Sequence, residues 1–151
     1  PKKIVVVSSA PQIRYPDCYG IDMAKLEGLV AFRAALDLLK ERNLYHIVEE
    51  VYQKSKAQED FSDADVVNYV KEIYAPFTDQ EISDKIAEML TPDDTNAEVK
   101  IIYQTVADLH VACPKNLGDG YFTGDYPTDG GNRVVNRAFM NFYEGKDARA
   151  Y

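Results

Sequence analysis

The sequence predicts an α/β chain in which helices dominate and only a short parallel sheet is present. Two apolar runs read as strands. Ile4, Val5, Val6 and Val7 form an unbroken β-branched run that stops at Ser8-Ser9-Ala10-Pro11, the pattern of a strand covered on both faces. Glu98 to Gln104, EVKIIYQ, is a second short strand. Elsewhere apolar residues recur at helical spacing, in runs bounded by capping residues, proline or glycine.

The first strand leads into a polar and aromatic loop carrying Gln12, Arg14, Tyr15, Asp17, Tyr19, Gly20 and Asp22. Ligands of open α/β sheets lie at the carboxyl ends of the strands, where this loop emerges. The stretch Lys2 to Met23 is therefore the candidate margin of a site. From the pattern alone, a strand read as central at the start of the chain fits a fragment or an ordinary first strand equally well. Asp22 can cap a helix running to about Arg42, and Asn43 can end it. Leu26, Leu29, Phe32, Leu36 and Leu39 share one face of that helix. Ala31, Ala34, Ala35 and Leu38 make a second, smaller face, so it is expected between two layers.

A one-sided amphipathic helix follows from Leu44 to about Ser55, with Leu44, Ile47, Val48, Val51 and Tyr52 inward. Lys54 to Asp60 reads as a polar linker. Ser62 and Asp65 have capping-box spacing ahead of a helix carrying Val66, Tyr69, Val70, Ile73 and Tyr74, which Pro76 stops. Thr78 and Glu81 repeat that spacing before Ile82, Ile86, Met89 and Leu90, and Thr91-Pro92 ends the run. After the second strand, Thr105 and Asp108 cap a brief helix, VADLHVAC, closed by Pro114. Gly118, Gly120, Gly124, Gly130 and Gly131 then mark turns, since their spacing is not that of a phosphate loop. Asn132 opens a last helix with the stripe Val135, Ala138, Phe139 and Phe142, ending at Gly145.

The 151 residues carry a net charge of −8, and the acidity is local. Residues 41–98 hold 15 acids and 5 bases, and the rest of the chain 10 acids and 12 bases. Nucleic-acid binding is disfavoured, because backbone phosphates need clustered Lys and Arg. The acidic helices read most simply as a solvated outer face, with a docking surface as the alternative. No apolar run reaches the ~20 residues that cross a bilayer, so no membrane partner is expected. Cys18 and Cys113 lack C-x-x-C spacing and read as free thiols of a reducing cytosol. His46 and His110 are isolated and read as ordinary helix residues, so no metal cage is expected. A Ser8 or Ser9 nucleophile has neither histidine near it in sequence. Arg14, with Tyr15 and Tyr19, either grips an anion or ring, or pairs with Asp17 or Asp22 and pins the loop.

A family resemblance adds to this reading. Ser8 to Pro11, Arg14-Tyr15-Pro16 and Tyr19 to Met23 resemble, in order, the segment after the substrate loop of glutamine phosphoribosylpyrophosphate amidotransferases (amidophosphoribosyltransferases). Downstream, IIYQTVADLHVA and GDGYFTGDYP are similar to that family's strand-helix element and its Gly-aromatic-Thr-Gly-Asp close. The family often has Pro where Ala24 stands, so the loop-helix junction is expected to be looser here.

The resemblance implies a helix-rich C-terminal fragment of a phosphoribosyltransferase-like fold with a helical insertion. Residues 1–43 would supply strand, motif loop and helix, 44–95 an acidic insertion, and 96–151 the closing strand, helix, Gly-rich loop and helix. The implied enzyme joins ammonia released from glutamine to phosphoribosyl pyrophosphate, making 5-phosphoribosylamine in the first step of purine synthesis, with Mg²⁺ on the pyrophosphate. Pro1 is not the family's nucleophilic Cys, and its acid-pair loop with Thr-Thr is absent. The expectation is therefore a cytoplasmic, homo-oligomeric enzyme of which this chain alone is inactive and holds no Mg²⁺ ligand. Ser9, Arg14, Tyr15, Tyr19 and Asp22 would line the margin of the substrate site, with no catalytic residue among them. Two alternatives stand: an interaction or oligomerisation module with an acidic helical face, and another type I phosphoribosyltransferase.

Overall fold

A computed structural model describes residues 2–18, 23–115 and 118–150. Its sheet has two parallel strands, β1 (Lys3–Ser8) and β2 (Glu98–Tyr103), with Lys3 opposite Glu98 and Ser8 opposite Tyr103. Between them run α1 (Val30–Glu41), α2 (His46–Lys56), α3 (Lys71–Tyr74) and α4 (Asp79–Leu90). After β2 come α5 (Val106–Ala112), α6 (Gly120–Thr123) and α7 (Gly131–Tyr143). Helix α4 packs on both α1 and β2 and so ties the sheet to the helical body.

Helix α1 is the centre of that body. Ala31, Phe32, Ala34, Ala35, Leu36, Leu38 and Leu39 are all buried, as its two apolar faces predict. It packs against α3 and α4, while Phe32 meets Phe139 and Phe142 of α7 edge-on at centroid distances of 6.2 and 5.0 Å. One hydrophobic cluster takes residues from α1, from the acidic segment (Val48, Val51, Val70, Ile73, Ile82, Ile86) and from α7 (Val135, Phe139). The stops predicted at Asn43 and Gly145 are both Schellman turns. Each residue has positive φ, and the next N–H reaches back to Leu39 O (2.8 Å) or Asn141 O (2.8 Å).

Several expectations are corrected. The helix after the motif loop starts at Val30, after a 3-10 turn at Leu26–Gly28, with Leu29 extended between them. The break coincides with Gly28, a poor helix former. Asp22, the expected cap, lies outside the described residues. The helix expected from Ser62 is a 3-10 turn, Asp63–Asp65, then an extended stretch, and only Lys71–Tyr74 is helical. Side-chain amides replace the helical bonds there. Gln58 bonds both the N–H and the carbonyl of Val67, Asn132 donates to Val66 O, and Asn136 to Val67 O. Asn68 accepts from Val70 N–H at 3.1 Å. The apolar residues still point inward, Val66, Val70, Ile73 and Tyr74 being buried. Leu90, read as inward, is exposed at the end of α4.

Strand β1 is the largest departure. It was expected to be covered on both faces, yet Ile4, Val5, Val6 and Val7 are all exposed, Val7 at 70%. The reason is geometric: among the described residues β2 is its one paired neighbour, and α4 lies over β2, where Ile101 is buried. Its pairing with β2 is parallel, as the short sheet read from the sequence requires.

Candidate functional site

The two motif stretches named above lie about a hundred residues apart in sequence, and the fold joins them at the carboxyl end of β1. The N–H groups of Arg14 and Tyr15 both donate to the Tyr121 carbonyl, at 2.8 and 3.1 Å. Tyr121 Oη donates to Asp17 Oδ1 (3.0 Å), and Tyr126 Oη to the Pro16 carbonyl (2.7 Å). Gly124 packs against the Tyr15 ring. The loop is thus anchored by tyrosines on both sides, because Tyr74 Oη also donates to the Arg14 carbonyl (2.5 Å). Burial pushes the hydroxyls of Tyr15, Tyr74 and Tyr126 well above their ordinary range, so Tyr74 and Tyr126 donate as neutral phenols.

Beside this loop, at the carboxyl ends of β1 and β2, lies a cavity of about 130 Å³. Gln12, Arg14, Asp79, Ser83, Thr105 and Phe122 line it, together with residues 101–104 of β2 and the turn after it. Arg14 is its cationic group. Nε and Nη2 donate to Gln12 Oε1 (3.1 and 2.7 Å), and Nη2 also to Asp79 Oδ1 (2.5 Å). The guanidinium stacks over Tyr74 at 5.2 Å from the ring centroid. Gln12 in turn donates to the Asp79 carbonyl and to Ser83 Oγ, both at 2.8 Å. The first turn of α4, Asp79 to Ser83, is therefore bonded to the motif loop.

Of the residues expected at the margin, Arg14 reaches the cavity. Tyr15 is buried behind it, packed edge-on against Tyr74 at 5.4 Å. Ser9 is exposed at the strand end and does not line the cavity; Ser8 Oγ instead closes a turn with the Ala10 N–H and carbonyl. Tyr19 and Asp22 lie outside the described residues. Of the alternatives open for Arg14, its carboxylate partner in the structure is Asp79, while Asp17 takes the Tyr121 hydroxyl. His46 and His110 are both exposed helix residues, as expected. His110 pairs with Asp119. Cys18 is half-buried and Cys113 exposed, and the two form no disulfide with each other.

Gln12 belongs to the loop read as the site margin, whereas Asp79, Ser83 and Thr105 escape the sequence reading. Thr105 had a signal, since it follows the end of a parallel strand by the rule that pointed to Ser9. Asp79 and Ser83 had none, because no spacing links the start of a helix to a loop 65 residues earlier.

The cavity can hold a small polar group against a guanidinium. A Mg²⁺ site needs carboxylate oxygens free to ligate. Among the described lining residues the one carboxylate, Asp79, is engaged by Arg14. Among the described residues no three His, Cys, Asp or Glu side chains are grouped for a metal, and no helix is long and apolar enough to cross a membrane.

Against known proteins the likeness is short. No family model matches the chain, and no solved structure matches it. Over 40 residues it is 48% identical to the amidophosphoribosyltransferase of Haemophilus influenzae. That stretch covers 26% of this chain and 8% of the relative's length. The likeness suggests that family at most, for a helix-rich α/β chain with a two-stranded parallel sheet.

Proposed function

We propose that this chain is part of a glutamine-dependent amidophosphoribosyltransferase, the enzyme that makes 5-phosphoribosylamine from phosphoribosyl pyrophosphate and glutamine-derived ammonia. The observation that carries the reading is the junction of the two motif stretches, through the Arg14 and Tyr15 N–H groups on Tyr121 O, at the carboxyl ends of parallel strands. The short likeness to an enzyme of that name supports it independently. In this reading Arg14 stands at the margin of the substrate site, held by Gln12 and Asp79, and the groups that do the chemistry come from elsewhere in the whole protein. Mg²⁺, required on the pyrophosphate, is likewise held by residues outside this chain. The whole protein is a cytoplasmic homo-oligomer.

The test is phosphoribosylamine formation from phosphoribosyl pyrophosphate and glutamine. The full-length protein is expected to be active, and Arg14→Ala in it to lower kcat/KM by about tenfold or more, the scale of one charge-assisted hydrogen bond. The 151 residues alone are expected to be inactive. Activity of the isolated chain, or none in the full-length protein, overturns the reading.

A second reading, an oligomerisation role, is favoured by the exposed apolar face of β1. The two are compatible, since that face can be an interface within the enzyme.

A further inference from the structure

Gln12 is 4% exposed, and its carboxamide is fully used. Such a group offers two acceptor positions on its oxygen and two donors on its nitrogen. Oε1 accepts from Arg14 Nε (3.1 Å) and Nη2 (2.7 Å). Nε2 donates to the Asp79 carbonyl and to Ser83 Oγ, both at 2.8 Å, and Ser83 Oγ donates in turn to the same carbonyl (2.9 Å). A guanidinium has only donors and a carbonyl only accepts, so turning the amide over would set donors against donors and oxygen against oxygen. One orientation of Gln12 is therefore fixed, and with it the edge of Arg14 that it grips.

The other contacts of Arg14 fix less. The Asp79 carboxylate takes Nη2 at 2.5 Å, but that side chain is 68% exposed, and ion pairs open to water are weak. The Tyr74 ring supports one face of the guanidinium without setting its rotation in the plane. Nε and Nη2 are thus committed, while Nη1 meets no acceptor among the described residues, in a side chain that lines the strand-end cavity.

We infer that Gln12 is a positioning residue for the proposed reaction: it ties the Arg14 guanidinium to the first turn of α4 and so sets the direction from which Nη1 meets an anionic oxygen of the substrate. The inference rests on the reading of this chain as part of an amidophosphoribosyltransferase, and it gives the acidic segment, through α4, a part in the site. Gln12 touches no substrate. It acts by ordering a long side chain in advance, which removes part of the entropy cost of binding.

The test is a double-mutant cycle in the full-length protein, read as kcat and KM for phosphoribosyl pyrophosphate. Gln12→Leu is expected to raise KM by about threefold to tenfold, no more than Arg14→Ala does, with kcat little changed. In an Arg14→Ala background it is expected to add no further loss, because nothing is left for it to orient. A merely structural role gives losses that multiply instead. Ser83→Ala removes one of the two acceptors that hold the Gln12 amide and is expected to follow the same pattern with a smaller rise. It carries the comparison if circular dichroism shows that Gln12→Leu does not fold. The inference is overturned if Arg14→Ala raises KM while Gln12→Leu and Ser83→Ala do not, or if their losses multiply with that of Arg14→Ala. Unchanged kinetics in Arg14→Ala, or an inactive wild-type full-length protein, overturns the underlying reading and this inference with it.

Discussion

Gly124 shows how one backbone conformation holds the two motif stretches together. Its φ is +73°, in the left-handed region, and it ends α6. A Cβ there would lie 2.8 Å from Tyr15 Cζ, 2.8 Å from Asn68 Nδ2 and 2.9 Å from Lys71 Cε. The Lys71 end can move, but the Tyr15 ring is buried and Asn68 is bound to the Gly124 carbonyl (3.1 Å). Gly124→Ala is therefore expected to destabilise the chain by roughly 2–4 kcal/mol, combining the left-handed penalty with overpacking. Urea unfolding checks this, and a loss near zero would mean that the Tyr15 contact is not held in solution.

At the scale of the element, α4 has the best-defined start in the chain and also reaches the strand-end cavity. Thr78 Oγ1 accepts from Glu81 N–H (3.2 Å), and the Glu81 carboxylate accepts from Thr78 N–H (2.8 Å), a complete capping box. Thr78→Ala is expected to cost about 1 kcal/mol by equilibrium unfolding. The same box gives a pH dependence. The Arg42 guanidinium, and after it the Thr78 backbone and side chain, lower Glu81 from 4.5 to about 2. A lowered carboxylate stabilises the folded state above its ordinary value, and that contribution is lost as pH falls from about 4.5 through about 2. Glu81→Gln should thus flatten the acid limb of the stability curve between those values. An unchanged limb would assign the acid sensitivity to other carboxylates.

At the scale of the molecule, the sheet is open. Val5, Val7 and Ile102 lie on one face, exposed at 48, 70 and 42%, while α4 covers the opposite face over β2. An apolar strand face and edge of this kind invite pairing. The isolated chain is expected to self-associate as its concentration rises in sedimentation velocity, and Val5→Lys with Val7→Lys to keep it monomeric. A wild-type chain that stays monomeric at millimolar concentration would show that the β1 face is not adhesive. Many of the acids that dominate residues 41–98 are held at home: Glu41 pairs with Lys85, Glu72 with Lys54, Glu81 with Arg42 and Asp63 with Arg133. That favours the solvated face over a surface kept free for a basic partner.

What the sequence by itself determined is local. Apolar periodicity placed α1, α2, α4 and α7, and capping pairs placed the starts of α4 and α5. Asn43 and Gly145 placed the stops, because each of these signals acts within one helical turn. Tertiary structure decided three things that no local spacing encodes. Residues 66–68 are not helical because the side-chain amides of Gln58, just after α2, and of Asn132 and Asn136 on α7 take up the hydrogen bonds of Val66 and Val67. Arg14 meets Asp79 because α4 packs against β2 and so brings its first turn to the strand ends. The apolar run of β1, which reads as buried, is exposed because burial depends on neighbours, and an apolar β-branched sequence records only that the strand can be covered, not what covers it.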